Sequence, residues 1–337
     1  MADKIKLLVV GVGSIGERHL RCFANTGRVE VSFCETNEQK RHEVAQRYGV
    51  ARHFSSLEDG LGQLPDAVVI ATPAHMHIPM ATKVVMQGCH VLIEKPLSTT
   101  IDGVEKFMSV VAGKKVVVSV AYVYRMHPAL SQMREALRSG RFGKPLQVVA
   151  VSGQNFPFYR PAYRETYYTR HDSGGGAIQD ALTHVVNAVE WIIGPVDRLV
   201  ADASHLALTG VSVEDTVNVI TRHGDILGSF TINQHQAPNE NTITVVCEKG
   251  TVRFEYHEHR WRWLIEPGNA WHDESAGPLE RDTLFVRQAD HFLDEIKGIK
   301  KQVSPLSDAI QTLRVNLAIL KSVECRSWET INQGQAE

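Results

Sequence analysis

The sequence lacks an excess of charge of either sign and any long apolar run. Its 36 Lys and Arg residues are balanced by 38 Asp and Glu residues, so the net charge of −2 offers no broad surface for nucleic acid. No stretch approaches the ~18 consecutive apolar residues of a membrane span. We therefore expect no nucleic-acid or membrane partner and a small-molecule ligand.

The cysteines also lack a pattern, because the 5 present are widely scattered and contain no C-x-x-C pair. This distribution indicates neither a disulfide framework nor a zinc site. His75 and His77 form an H-x-H pair, but no third ligand stands in register with them. We expect no bound metal and a reducing, cytoplasmic environment.

The first third of the chain alternates short apolar strands with single helices. This order is typical of a doubly wound parallel sheet that is covered on both faces. The predicted strands are Ile5–Val10, Val29–Cys34, Ala67–Ala71, His90–Ile93 and Lys115–Val120. The predicted helices between them include Ser14–Thr26 and Met76–Gln87.

The rest of the chain has longer strands that alternate apolar and polar residues. Two hairpins are predicted, with turns at Gly224-Asp225 and Glu248-Lys249-Gly250. Pro267–Arg281 is predicted to be a long polar loop, and Ser307–Cys325 the last helix. Since 337 residues exceed the usual limit of one hydrophobic core, we expect an α/β protein of two domains. The doubly wound sheet occupies residues 1–123, and an α+β domain with a large, mostly antiparallel open sheet occupies residues 124–337.

A glycine-rich motif, Gly11-Val12-Gly13-Ser14-Ile15-Gly16, follows the first predicted strand and opens the first helix. In this context Gly11 permits a tight turn, Gly13 lets the backbone approach a pyrophosphate, and Gly16 allows close helix packing. The motif predicts a Rossmann dinucleotide-binding domain. Its predicted cofactor contacts are Gly11, Gly13, Ser14, Ile15 and Gly16.

Glu35 ends the second predicted strand, where a carboxylate can accept hydrogen bonds from both hydroxyls of an adenosine ribose. Its charge would repel the 2′-phosphate of NADP. Thr36 and Asn37 follow, so no arginine occupies the immediate turn. NAD is therefore predicted in preference to NADP.

Two clusters carry candidate catalytic groups. Lys95, in Glu94-Lys95-Pro96, follows the fourth strand at the sheet edge that binds ligands, although a lone lysine is more often a solvated loop residue. Gly174-Gly175-Gly176 precedes an apolar helix on which Asp180 and His184 stand four residues apart on one face. By itself this stripe fits a hydrated helix face as well as a catalytic one, though glycines before a helix allow close approach to the backbone.

Taken together, these motifs resemble the glucose-fructose oxidoreductase, inositol dehydrogenase and MocA family (Gfo/Idh/MocA). The resemblance spans almost the whole chain in the family's order. One departure is Val123, since members often carry an asparagine shortly before the arginine that corresponds to Arg125. The resemblance rests on Gly11–Gly16, Ala71-Thr72-Pro73 with His77, Glu94-Lys95-Pro96, Arg125 with Pro128, and Gly174-Gly175-Gly176 with Asp180 and His184.

The resemblance matches Lys95, Asp180 and His184 to the family's catalytic lysine, aspartate and histidine. It implies hydride transfer between NAD(P) and a carbinol carbon of a sugar, polyol or sugar derivative, and a homodimer or homotetramer formed through the open sheet. His184 suits the acid/base, because an imidazole titrates near neutral pH. Lys95 would stabilise the oxygen, and Asp180 would orient the site. Further cofactor contacts are expected at Thr72, Pro73, His77, Glu94 and Lys95.

Tyrosines and arginines crowd the segment before the glycine block. They suit a polyol, and an arginine there could also bind the carboxylate or phosphate of a sugar acid or sugar nucleotide. The same enrichment is typical of an oligomer or domain interface. The predicted substrate contacts are Lys95, Arg160, Tyr163, Tyr167, Asp180 and His184.

Two other functions fit the same motifs. One is an NADP-linked reductase of a keto-sugar, which is the reverse chemical direction. The other is a non-catalytic dinucleotide-binding regulator with the same fold. Retention of Lys95, Asp180 and His184 together argues against the regulator.

Overall fold

The structure is a computed structural model that describes residues 4–331. The chain divides into two compact units, one formed by Met1–Val123 with Glu280–Ala309 and the other by Tyr124–Leu279 with Ile310–Glu337. A single boundary after residue 123 would place residues 280–309 in the second unit, whereas their contacts lie in the first. No helix within residues 4–331 is long and apolar enough to cross a membrane.

The first unit contains a sheet of six strands within the described residues, and all of its neighbouring strands run parallel. The strands are β1 Ile5–Val10, β2 Val29–Cys34, β3 His53–Phe54, β4 Ala67–Ile70, β5 His90–Ile93 and β6 Val118–Val120. Their order is β3-β2-β1-β4-β5-β6, so the direction of winding reverses between β1 and β4. The predicted doubly wound sheet is confirmed, and its ligands are expected at this reversal.

Five helices connect these strands in the described part of the unit, namely α1 Ser14–Asn25, α2 Glu38–Tyr48, α3 Leu57–Leu61, α4 His77–Met86 and α5 Val104–Ala112. Helix α2 shows how local sequence sets its ends. The side chain of Asn37 accepts a hydrogen bond from the backbone N–H of Lys40, and Gly49 ends the helix in a left-handed conformation with φ of +64°. Both features are common helix caps.

The second unit contains a sheet of nine strands within the described residues, in the order β14-β13-β12-β11-β7-β10-β9-β8-β15. Only the β7–β10 pair is parallel among them, which confirms the predicted, mostly antiparallel sheet. The strands are β7 Pro145–Gly153, β8 Arg198–Ser204, β9 Thr216–His223, β10 Ile226–Asn233, β11 Glu240–Cys247, β12 Gly250–Glu255, β13 Arg260–Leu264, β14 His272–Ser275 and β15 Glu329–Thr330.

Both predicted hairpins occur, with Gly224-Asp225 joining β9 to β10 and Glu248-Lys249 joining β11 to β12. The prediction of a continuous polar loop over Pro267–Arg281 is wrong, because it contains β14. All four residues of β14 are exposed, so no alternation of apolar and polar residues marks it. Strand β14 pairs with β13 at the sheet edge through backbone hydrogen bonds, which cannot be predicted from a pattern of side chains.

Three helices cover one face of the sheet of the second unit, namely α6 Pro128–Arg138, α8 Thr183–Ile193 and α10 Leu306–Cys325, most of which belongs to this unit. The short α7, Phe156–Tyr159, contributes Phe156 to a separate small cluster. Apolar residues of α6, α8 and α10 form one core with the inward side chains of the sheet. On the opposite face, Ile220 and Leu227 are 51% and 43% exposed.

Helix α9, Thr283–Ile296, belongs to the first unit although it follows most of the second in the chain. Its Phe292 packs edge-on against Phe23 of α1, with ring centroids 6.2 Å apart. Arg28, which follows α1, contacts Asp290 at 3.1 Å and Asp294 at 2.7 Å. This amphipathic packing explains why residues 280–309 join the first unit.

Candidate active site

The glycine motif forms the turn between β1 and α1, beside the end of β4. Gly11 has φ of +80°, and a Cβ there would lie 3.0 Å from the Ala71 carbonyl oxygen. A Cβ on Gly16 would lie 1.9 Å from the Gly11 carbonyl oxygen. Backbone packing therefore requires glycine at both positions.

At Gly13, by contrast, a Cβ would stand in open space. Among the described residues, no atom outside the immediate neighbours of Gly13 lies within 4 Å of that position. Gly13 is also the N-cap of α1, whose first two residues are Ser14 and Ile15. Since glycine has no side chain to cap the helix, the first backbone N–H groups are available to an anion. This open helix start fits the pyrophosphate of a dinucleotide.

The carboxylate of Glu35 is held beside the same turn. It accepts hydrogen bonds from the backbone N–H of Val12 at 3.2 Å and of Asn37 at 3.0 Å. Arg41 of α2 donates to the Glu35 carbonyl oxygen at 2.8 Å. An arginine therefore does lie near Glu35, one helical turn beyond the residues considered from sequence.

Glu94 is a buried carboxylate at the end of β5, directly before Lys95. One of its oxygens contacts Nε2 of the buried His19 at 2.6 Å, and the other accepts the backbone N–H of Lys95 at 3.1 Å. Burial raises the pKa of Glu94, but the contact with His19 and the charge and backbone N–H of Lys95 together outweigh burial and lower that pKa. His19 lies on α1, and no sequence motif indicated its role.

His77 supports the neighbouring loop. Its ring is buried, with Nδ1 2.9 Å from the Pro96 carbonyl oxygen and Nε2 2.8 Å from the Thr72 carbonyl oxygen. Burial lowers the pKa of His77. Both ring nitrogens thus face backbone carbonyls, and the predicted cofactor contact of His77 stays a prediction.

The glycines Gly175 and Gly176 of the second unit let two other groups lie close to their backbone. A Cβ on Gly175 would lie 2.2 Å from the Tyr168 carbonyl oxygen. Gly176 has φ of +87°, and its Cβ would lie 2.6 Å from both carboxylate oxygens of Glu214. Larger side chains at these positions would displace Tyr168 and Glu214.

The segment after the glycines is not a regular α-helix. Ile178–Leu182 forms a π-helical turn that contains Asp180, and α8 then begins at Thr183 with His184 in its first turn. Single π-turns within helices occur frequently at functional sites.

Asp180 contacts two of the other predicted substrate residues, Arg160 and Tyr167. It is 2% exposed, and Arg160 Nη1 donates to its Oδ2 at 2.9 Å. The hydroxyl of Tyr167 donates to its Oδ1 at 2.6 Å. These two donors hold the Asp180 carboxyl group in one orientation.

Tyr163 has a different position. It is buried, it packs with Phe156 and Tyr168 in a small apolar cluster, and its hydroxyl donates to the Thr209 carbonyl oxygen at 2.8 Å. The structure therefore gives Tyr163 a core position, and its predicted substrate contact stays a prediction.

The ring of His184 stacks on Tyr124, with centroids 5.0 Å apart and planes 16° from parallel. Tyr124 stacks in turn on Tyr256 at 4.9 Å, and its hydroxyl accepts from Asn241 Nδ2 at 3.0 Å. Burial raises the pKa of Tyr124 above its usual range, so its hydroxyl stays protonated. Tyr124 was not among the predicted site residues, because a stacking partner from a distant segment has no local pattern in the sequence.

Of the predicted catalytic residues, Lys95 lies on the first unit, and Asp180 and His184 lie on the second. Within residues 4–331, no group of three or more His, Cys, Asp or Glu side chains is arranged to hold a metal ion.

Comparisons with known proteins agree with these features. The family model described as "Oxidoreductase family, NAD-binding Rossmann fold" matches residues 5–122, and that of the GFO/IDH/MocA C-terminal domain matches residues 130–253. Levoglucosan dehydrogenase from Pseudarthrobacter phenanthrenivorans is 24% identical over 96% of this chain and 97% of that protein. 1,5-anhydro-D-fructose reductase from Ensifer adhaerens is 27% identical over 92% of this chain and 93% of that protein.

A solved structure of levoglucosan dehydrogenase in complex with NADH has the same fold. Its TM-score is 0.89 at 21% identity, and the match covers 98% of this chain and 100% of that one. The family resemblance and the NAD cofactor predicted from the sequence are confirmed. The chain belongs to the GFO/IDH/MocA family of NAD-binding oxidoreductases.

Proposed function

We propose that this protein transfers a hydride between NAD and a carbinol carbon of a sugar, polyol or sugar derivative. The observation that carries the proposal is the buried Asp180 carboxylate, which Arg160 and Tyr167 hold one turn before His184. A guanidinium, a phenol and a carboxylate together suit a ligand with many hydroxyl groups. Two relatives, levoglucosan dehydrogenase and 1,5-anhydro-D-fructose reductase, are named for sugar derivatives, which supports this substrate class.

In the oxidative direction, His184 takes the proton of the substrate hydroxyl as the carbinol C–H bond breaks and the C=O bond forms. Lys95 stabilises the oxygen while negative charge develops on it. Asp180 orients the site by holding the donors of Arg160 and Tyr167. When bound, the nicotinamide supplies the hydride acceptor, or the hydride donor in the reverse direction.

The cofactor would be held by groups of the first unit. Backbone groups of the glycine turn would bind the pyrophosphate, and Glu35 would bind the adenosine ribose and favour NAD over NADP. Glu94 and His77 would act indirectly by supporting their loops. The remaining contacts would come from Thr72, Pro73 and Lys95.

The second unit would bind the substrate and join subunits. Its open sheet face carries the exposed Ile220 and Leu227, which supports a homodimer or homotetramer. The free thiols of Cys22, Cys34 and Cys89 are buried, which supports a reducing, cytoplasmic environment.

The test is a screen of hexoses, inositols, sugar acids and sugar nucleotides for NADH formation. We expect turnover with at least one class, and loss of that turnover in Asp180→Asn. Binding of NAD without turnover of any compound would contradict the proposal and favour a dinucleotide-binding regulator.

A further inference from the structure

Glu214 lies just before β9 and joins two separate segments of the second unit. Its side chain is 8% exposed. Oε1 accepts a hydrogen bond from the backbone N–H of Ile178 at 2.9 Å, and Oε2 contacts Nε2 of His171 at 2.5 Å. One buried carboxylate is thus shared by two segments.

Each of these segments carries one member of a contact in the candidate active site. Ile178 begins the π-helical turn that contains Asp180. His171 follows Tyr167, whose hydroxyl meets Asp180 Oδ1 at 2.6 Å. Glu214 therefore lies where the segment of Tyr167 and the segment of Asp180 are tied together.

The backbone is shaped to admit this carboxylate. Gly176 has φ of +87°, and a Cβ there would stand 2.6 Å from both Glu214 oxygens. The backbone N–H of Ala177 donates to the Glu214 carbonyl oxygen at 3.0 Å. A glycine in a left-handed conformation at this point makes the close approach possible.

The charges around His171 favour its pairing with Glu214. Its ring is half-exposed, and the hydrogen bond to Glu214 raises the pKa of His171 against the opposing effect of burial. The Asp172 carboxylate also faces it and raises the pKa further. The ion pair therefore persists to a higher pH than an ordinary histidine would allow.

We propose that Glu214 is a positioning residue that sets the contact between Tyr167 and Asp180 by holding Ile178 and His171 at once. The inference rests on the role of Asp180 proposed above. It differs from a purely structural role, in which Glu214 would stabilise the fold without changing how Tyr167 meets Asp180.

The first test compares Glu214→Ala, Tyr167→Phe and the double variant, with the compound that yields NADH in the screen as substrate. We expect Glu214→Ala to lower kcat about tenfold while the Kd for NAD stays unchanged, and the double variant to lose less than the product of the single losses. In a crystal structure of Glu214→Ala, the distance from Tyr167 Oη to Asp180 Oδ1 should exceed hydrogen-bonding length. Glu165→Ala removes an exposed carboxylate from the same segment and should leave kcat unchanged.

The second test uses Glu214→Gln, whose amide oxygen can still accept from Ile178 but which cannot form an ion pair with His171. Because the pKa of His171 is raised by its partner, His171 is charged below that pKa, and the ion pair is lost as the pH rises through it. The ratio of wild-type kcat to Glu214→Gln kcat should therefore fall towards one as the pH rises and His171 deprotonates.

The outcomes separate this inference from the proposed function. If Asp180→Asn leaves kcat unchanged, the proposed role of Asp180 fails. If Asp180→Asn lowers kcat but Glu214→Ala changes only the melting temperature, the inference about Glu214 is overturned while the proposed function stands. The same holds if the fold-losses of kcat in Glu214→Ala and Tyr167→Phe simply multiply in the double variant.

Discussion

At the scale of single residues, the described carboxylates Asp180, Glu94 and Glu214 share one arrangement. Each is buried, and each accepts from two different protein groups. A buried charge is tolerated only when it is paired and hydrogen-bonded, and removing one partner is more damaging than removing both. These three buried carboxylates therefore also hold the segments next to them in place.

The residue whose substitution tests the mechanism most directly is His184. We expect His184→Ala to lower kcat about 10²- to 10⁴-fold, the usual contribution of a positioned proton-transfer group. The Kd for NAD, measured by calorimetry, should stay nearly constant, because the predicted dinucleotide contacts lie on the first unit. A kcat of His184→Ala within a few-fold of the wild type would instead mean that His184 packs against Tyr124 without transferring a proton.

Glu35 and Arg41 together predict how cofactor preference can be changed. Glu35→Ser removes the charge that repels a 2′-phosphate and leaves Arg41 nearby, so the ratio of kcat/KM for NADP to that for NAD should rise about tenfold or more.

Adding Arg41→Ala to Glu35→Ser should remove most of that gain. Arg47→Ala is the matched control, because Arg47 lies on the same helix but pairs with Glu17. An unchanged ratio in Glu35→Ser would refute the role given to Glu35.

At the scale of elements, a chain of hydrogen-bonded polar side chains links α8 to α10 in the second unit. Arg125 Nε donates to Asn187 Oδ1 at 2.8 Å, and Asn187 Nδ2 donates to Thr312 Oγ1 at 3.0 Å. Thr312 then donates to Glu190 at 2.7 Å, and Gln311 does so at 3.0 Å. Such a network fixes the register between two helices that apolar packing alone would allow to slide.

Glu190 makes this helix pair sensitive to pH. Burial raises its pKa from 4.5 to about 7, although hydrogen bonds from Thr312 and Gln311 oppose the shift. Because the folded state holds the proton more tightly than the unfolded state, the free energy of unfolding should fall as the pH rises from 4.5 through 7.

The substitution Glu190→Gln imitates the protonated form, so it should remove that fall and stabilise the protein by up to about 3 kcal/mol above pH 7. Urea unfolding across this pH range measures the effect. Glu135→Gln, on an exposed side chain of α6, should leave the pH dependence as in the wild type. Equal pH slopes in wild type and Glu190→Gln would contradict this account of Glu190.

At the scale of the whole molecule, the open sheet face of the second unit predicts self-association. Ile220 and Leu227 are exposed on adjacent strands of a face that the helices do not cover. We expect light scattering to show a dimer or tetramer at micromolar concentration. Ile220→Asp should shift the equilibrium to monomers by placing a charge in an apolar contact.

The matched control for Ile220→Asp is Met86→Asp, which charges an exposed apolar side chain on the first unit. It should leave the assembly intact. A wild-type monomer at this concentration would remove the proposed interface.

The sequence by itself determined the parts of this protein that depend on local chemistry. Five of the six strands of the first sheet, the glycine turn, the Gly224-Asp225 hairpin and the cofactor followed from apolar runs, from positions that require glycine, and from one strand-end carboxylate. The two-residue strand β3 was not predicted, because it is too short to show a pattern. These signals lie within a few residues of one another, so they can be read before the chain folds. The position of Asp180 and His184 in one short segment could be read for the same reason.

Only the tertiary structure decided which groups meet from distant parts of the chain. The return of α9 to the first unit and the partners His19, Tyr124 and Glu214 left no local pattern, because each contact joins segments far apart in sequence. The strand β14 left none because all four of its residues are exposed. Tyr163 and Tyr167 look alike in the sequence, yet Tyr163 is buried in a small core whereas the hydroxyl of Tyr167 donates to Asp180. Identical side chains take different roles because burial and hydrogen bonding are set by the surrounding fold, not by residue type.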